Sequence, residues 1–225
     1  MSHVNSICGE AIATCITLVA LAGSFSCEAA DISVMVVDRD GRGVGEVVVA
    51  ALPADPIPGL SPPPKTAVMD QRNREFLPRV LVVGVGASVD FPNNDSVSHQ
   101  VYSFSPAKRF QLPLYKGQLH PPVTFDKPGL VVLGCNIHDA MVGYIYVTDA
   151  PYFGTTEAAG SLTLKDLPKG DYRIVVWGPY IVDTPASLVR NVHVEGDEPT
   201  TARVQLSLAL RARPEPRPRR RDWEY

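Results

Sequence analysis

Glycine and proline interrupt this chain before any helix could run its length. Past residue 30, short segments rich in β-branched and aromatic residues alternate with clusters of Gly, Pro, Asn and Asp, and no helical periodicity intervenes. The 21 prolines and 17 glycines therefore mark turns between strands rather than exceptions within helices. Strands are predicted at Ile32–Val37, Glu46–Ala51, Arg79–Val83, Ser88–Phe91, Gln100–Phe104, Val123–Phe125 and Leu130–Leu133. Further strands are predicted at Tyr144–Val147, Ser161–Leu164, Asp171–Trp177, Val189–Val194 and Ala202–Leu208. In Tyr144–Val147 aromatic and aliphatic residues alternate, as a strand covered on both faces allows. Pro53–Pro64 holds six prolines and is an irregular connection. Strands that follow one another without crossover helices imply an all-β fold of antiparallel sandwiches and exclude a parallel βαβ sheet.

The two ends read differently from the middle. Ala11–Ala22 is an apolar run of export-signal length, followed by small residues up to Ala30. Residues 1–30 are thus expected to be a cleaved signal peptide, and the protein is expected in the periplasm. Cys8, Cys15 and Cys27 would leave with that signal, so Cys135 would be the one cysteine of the mature chain and could form no internal disulfide. Residues 211–225 carry six arginines, three acids and three prolines and are expected to form a disordered, solvated tail. The net charge of −3 gives no basic face for nucleic acid. No apolar run reaches the ~20 residues of a membrane-spanning helix.

Chemistry concentrates in Gly134–Met141, where a thiol, an imidazole and a thioether fall within seven residues from Cys135 to Met141. Cys135 ends an apolar strand, and His138 and Met141 follow in a short loop. Two intervening residues let the loop fold back so that Cys135 and His138 meet one ion, with Met141 as a distant axial neighbour. A second imidazole must come from elsewhere, and His99, in the polar loop leading into a strand, qualifies. Cys and two His in a plane with a weak axial Met form the donor set of a blue-copper site. A cysteine after a strand is ordinarily a small buried hydrophobe. Zinc would also accept Cys and two His, but it prefers a harder fourth donor than a thioether. His120 lies in a turn and His193 in a late strand, and both are expected at the surface. No phosphate loop, nucleophile elbow or paired-histidine zinc motif occurs, so no enzyme activity is expected.

Residues 65–149 resemble the cupredoxins on three ordered motifs. These are Phe91, Asn93, Asp95 and His99 in F-x-N-x-D-x-x-x-H, the run Val123–Gly129, and the C-x-x-H-x-x-M spacing, which is closest to amicyanin. The resemblance implies a Greek-key β-sandwich and one type 1 copper held by His99, Cys135, His138 and Met141. It also implies single-electron transport to a redox protein such as a cytochrome c or a dehydrogenase, a monomeric protein, and a link to methylamine utilisation. Ser98 and Gln100 stand where family members often have Pro and Asn, so the Asn brace that the family uses between its ligand loops is missing here. Copper binding or storage, or a structural β-protein without electron transfer, are the competing readings.

The flanks resemble a second family. Val34–Val44, running on to Val47–Val49, is similar to the opening hairpin of a carboxypeptidase regulatory-like, transthyretin-type β-sandwich. Gly160–Tyr172 is similar to its later hairpin, G-x-L-x-L-x-x-L-P-x-G-x-Y. Residues 31–54 and 150–210 are accordingly expected to form one transthyretin-like sandwich into which the copper sandwich is inserted; the alternative is a plain tandem, with the first hairpin added to the copper sandwich's sheet.

Overall fold

The structure is a computed structural model that describes residues 29–62, 65–117, 120–182, 188–195, 199–205 and 210–211. The expected signal peptide, but for Ala29 and Ala30, and the expected tail beyond Arg211 lie outside the described residues. Among the described residues every extended element is a strand and no α-helix occurs.

The outer parts of the chain pair with each other. β1 (Ala29–Val37) runs antiparallel to β14 (Ser161–Pro168) and parallel to β17 (Thr200–Gln205). β2 (Val48–Pro53) lies between β13 (Tyr152–Thr155) and β15 (Gly170–Trp177), and β15 continues to β16 (Val189–Val194). These two sheets enclose one core, in which Ile32, Val49, Ala51, Leu167, Ile174 and Val204 are fully buried. Burial alternates along β1 and β15, as a strand with one inward face requires.

The middle of the chain builds the other core. Its main sheet is ordered β6 (Val80–Gly84), β12 (Val142–Thr148), β11 (Gly129–Gly134), β8 (His99–Ser105) and β9 (Lys108–Tyr115). Opposite it lie β10 (Val123–Phe125), β7 (Ala87–Asp90) and β3 (Thr66–Val68), with the hairpin of β4 (Asp70–Arg72) and β5 (Glu75–Leu77). Phe125, Val131, Leu133 and Ile145 fill this core beside Cys135 and Met141.

β12 serves both bodies. Ile145 and Val147 point into its own core, while Tyr146 stacks on Trp177 of β15 at 5.5 Å and Tyr144 lies 5.9 Å from the same indole. The two covered faces expected from its alternation are both present. Five strands were not anticipated: β3, β4, β5, β9 and β13. β9 begins with Lys108 and Arg109 and contains Pro113, which a central strand would not tolerate; it lies at the sheet edge, where a missing N–H costs no ladder bond.

Two separate cores predict separable energetics. Ile174→Ala, at a fully buried position of the outer core, should cost about 2–5 kcal/mol in chemical denaturation. The same variant should leave the metal affinity of the folded protein unchanged, and a parallel loss of both would show that the two cores are one.

Candidate metal centre

The Cys–His–Met loop is two consecutive turns. The His138 N–H donates to the Cys135 carbonyl at 3.3 Å, and the Met141 N–H donates to the His138 carbonyl at 2.8 Å. A bond from residue i+3 back to residue i closes a β-turn, so a spacing of three places Cys135, His138 and Met141 at the ends of two successive turns. Cys135 and Met141 are buried, and His138 between them is half-buried.

His99 arrives from the neighbouring strand. It opens β8, at a bulge in the pairing with β9, and its side chain is wholly enclosed. The Cys135 Sγ lies 3.9 Å from the His99 Nδ1 and 4.0 Å from the His138 Nδ1, and the two nitrogens are 3.2 Å apart. Among the described residues, His99, Cys135 and His138 form the one group of three such donors close enough to share an ion. His120 and His193 stand apart from it. Met141 belongs to the same core cluster as Cys135.

The triangle fits a metal. A point in its plane equidistant from the three atoms lies about 2.2 Å from each, the circumradius set by those sides; metal bonds to imidazole nitrogen and thiolate sulfur are about 2.0–2.3 Å. Seen from that point, sulfur and nitrogen are about 130–135° apart and the nitrogens about 95°.

The surroundings shift all three groups. Burial pushes the Cys135 thiol up, but this is outweighed by the His99 ring and by the N–H groups of Gln100 and Ile137 directed at the sulfur, so its pKa falls below the ordinary thiol value. Burial also lowers the His99 imidazole, and Cys135 and Asp95 more than reverse it. Burial, then the nearby charges of His99 and Arg74, hold His138 below its ordinary value, which keeps its ring neutral and able to donate a lone pair.

Asp95 was singled out by the sequence pattern without a role. Its Oδ2 lies 2.8 Å from the His99 Nε2, so that ring carries its proton on Nε2 and turns Nδ1 to the cluster. Burial raises the Asp95 carboxyl, yet hydrogen bonds from His99, the Arg74 N–H and the Ser96 N–H bring it down to about 2. Asn93 shapes the loop: its Nδ2 donates to the Val97 and Tyr115 carbonyls, and its Oδ1 accepts from the Asp95 N–H. Tyr115 and Gln71, both buried, close the space beneath. Of the two other histidines, His193 is exposed and paired with Asp171 at 2.7 Å. His120 departs from the expectation: it is half-buried with its ring edge-on to Tyr115 at the end of β9, and its Nε2 is enclosed.

No family model and no curated protein matches the chain. Among solved structures it is similar to a purple cupredoxin from Nitrosopumilus maritimus, at 23% identity over 36% of this chain and 99% of that one, with a TM-score of 0.33. It is similar to an amicyanin variant in its reduced state, at 21% identity over 44% of this chain and 99% of that one, TM-score 0.34. A copper-containing nitrite reductase from Thermus scotoductus shares 26% identity over 42% of this chain, TM-score 0.35, and the chain spans only 23% of that protein's length.

Asp95 predicts an acid limit for the metal-free protein. Its carboxyl is depressed from 3.8 to about 2, so its stabilisation is complete above 3.8 and is lost as pH falls toward 2. Urea titrations across that window should show a loss of about 2 kcal/mol from this group, absent in Asp95→Asn. Equal acid sensitivity in the two proteins would contradict the assignment.

Proposed function

We propose that this protein is a type 1 copper protein that carries single electrons between redox partners. The convergence of one thiol and two imidazoles from separate stretches of the chain, with room for an ion about 2.2 Å from each, carries the reading. Cys135 would hold a copper ion through its thiolate, His99 and His138 through their imidazoles, and Met141, buried in the same core, would offer a weak thioether. Copper, when bound, provides the Cu(II)/Cu(I) couple. The chain's own work is to hold the donors in place through the change of oxidation state, which lowers the cost of reorganisation.

His138 offers the route out. It is the one half-buried member of the set, beside Ile137, which is 53% exposed, and the exposed Ala140. A small apolar rim around a ligand edge suits brief docking to a redox protein, of the class of a cytochrome c or a dehydrogenase. Export to the periplasm through Ala11–Ala22 and a link to methylamine utilisation belong to the same proposal. The copper sandwich is read as inserted into a transthyretin-type one, an arrangement supported by the pairing of β1 with β14 and of β2 with β15.

Purified protein loaded with Cu(II) should show an intense visible charge-transfer absorption that bleaches reversibly on reduction. Cys135→Ser should abolish that band and leave the β fold intact by circular dichroism; a serine variant that keeps the full band refutes the ligand assignment. Met141→Leu should keep the colour and raise the potential, because loss of a weak donor favours Cu(I). Tight Cu(I) binding with no colour after oxidation would favour copper handling over electron transport.

A further inference from the structure

We propose that Asp95 is the positioning residue of His99, held by the turn of the β4–β5 hairpin, and that its carboxylate biases the centre toward Cu(II). The inference rests on the copper reading above and adds a determinant of its potential.

The observation is a single oxygen with two donors. Asp95 Oδ2 accepts from the His99 Nε2–H at 2.8 Å and from the Arg74 N–H at 2.6 Å. Its other oxygen accepts the Ser96 N–H at 2.6 Å. Only 7% of the Asp95 side chain is exposed, and none of His99 is. With the Ser96 hydroxyl also donating to that second oxygen at 3.3 Å, the carboxylate is held in one orientation, and it passes that orientation to the ring it holds.

The hairpin is built to present that N–H. β4 and β5 are joined by two residues, Asn73 and Arg74, at φ of 53° and 61°. Both central residues of a type I′ turn need positive φ, and this turn matches the twist of the flanking strands. The hairpin is fastened to the ligand loop independently of Asp95. The Gln71 N–H donates to the Pro92 carbonyl at 3.1 Å, and the Asn94 Nδ2 donates to the Asp70 Oδ1 at 2.9 Å. The brace that Gln100 cannot provide as an asparagine would therefore come from Asp95 and a segment more than twenty residues upstream.

The consequence for the metal is electronic as well as steric. A carboxylate on Nε2–H increases the donor strength of Nδ1, and a fixed negative charge on the far side of the ring favours the ion of higher charge. His138 has no carboxylate on its second nitrogen among the described residues, so the bias enters through His99 alone.

Two variants separate charge from position. In Asp95→Asn one oxygen remains to accept from both His99 and Arg74. The absorption band should persist while the ratio of Cu(II) to Cu(I) affinity falls at least tenfold, a rise of 59 mV for a one-electron couple. In Asp95→Ala the ring loses its acceptor, and Zn(II) affinity, titrated on the same preparations, should fall about 10–100-fold, with Asp95→Asn close to the parent. A potential unchanged in Asp95→Asn overturns the electronic role. Zn(II) affinity unchanged in Asp95→Ala overturns the positioning role. The zinc measurement decides this whether or not the copper form is coloured, so failure of the clamp and failure of the copper reading are told apart.

Discussion

A wholly enclosed imidazole facing a buried thiol is the constraint around which the sandwich of the candidate centre is arranged. A ring nitrogen taken out of water costs on the order of 1–3 kcal/mol unless something accepts or donates to it. His99 meets that demand on both sides: Asp95 takes its Nε2–H, and Nδ1 turns to Cys135 and His138. The bulge at the start of β8, the Asn93 loop and the β4–β5 turn are the backbone features that make those two contacts compatible. Without an ion, two imidazole nitrogens 3.2 Å apart can share at most one proton between them; with one, both lone pairs have the same partner.

Rigidity of the site follows from where its members stand. Cys135 directly follows β11 and Met141 directly precedes β12, so the two-turn loop is anchored at each end in the main sheet. β12 then carries Tyr144 and Tyr146 onto Trp177, which ties the same strand to the second sandwich. The centre is thus supported by packing on both faces of one strand, while His138 alone reaches toward solvent. An arrangement of this kind limits movement of the three side chains.

Legibility in the sequence was uneven for physical reasons. Strands with a buried face, such as β1, β8 and β15, announce themselves by period-two burial. β9 does not, because an edge strand accepts Pro113 and charged residues that disguise its alternation. β4 and β5 are three residues each, and their turn uses Asn-Arg where Asn-Gly is the recognisable signal. His120 was expected at the surface, yet its ring lies against Tyr115; nothing local in a Pro-flanked turn reveals what it folds over.

The chain alone determined the all-β character and the spacing that puts Cys135, His138 and Met141 at the ends of successive turns, because turns and strand alternation are local properties. Whether His99 would reach them, at what separation, and that Asp95 and the Arg74 N–H would hold it there, was decided only by tertiary structure. Those contacts join segments distant in sequence, and their geometry depends on sheet order and a bulge that no short stretch of residues encodes.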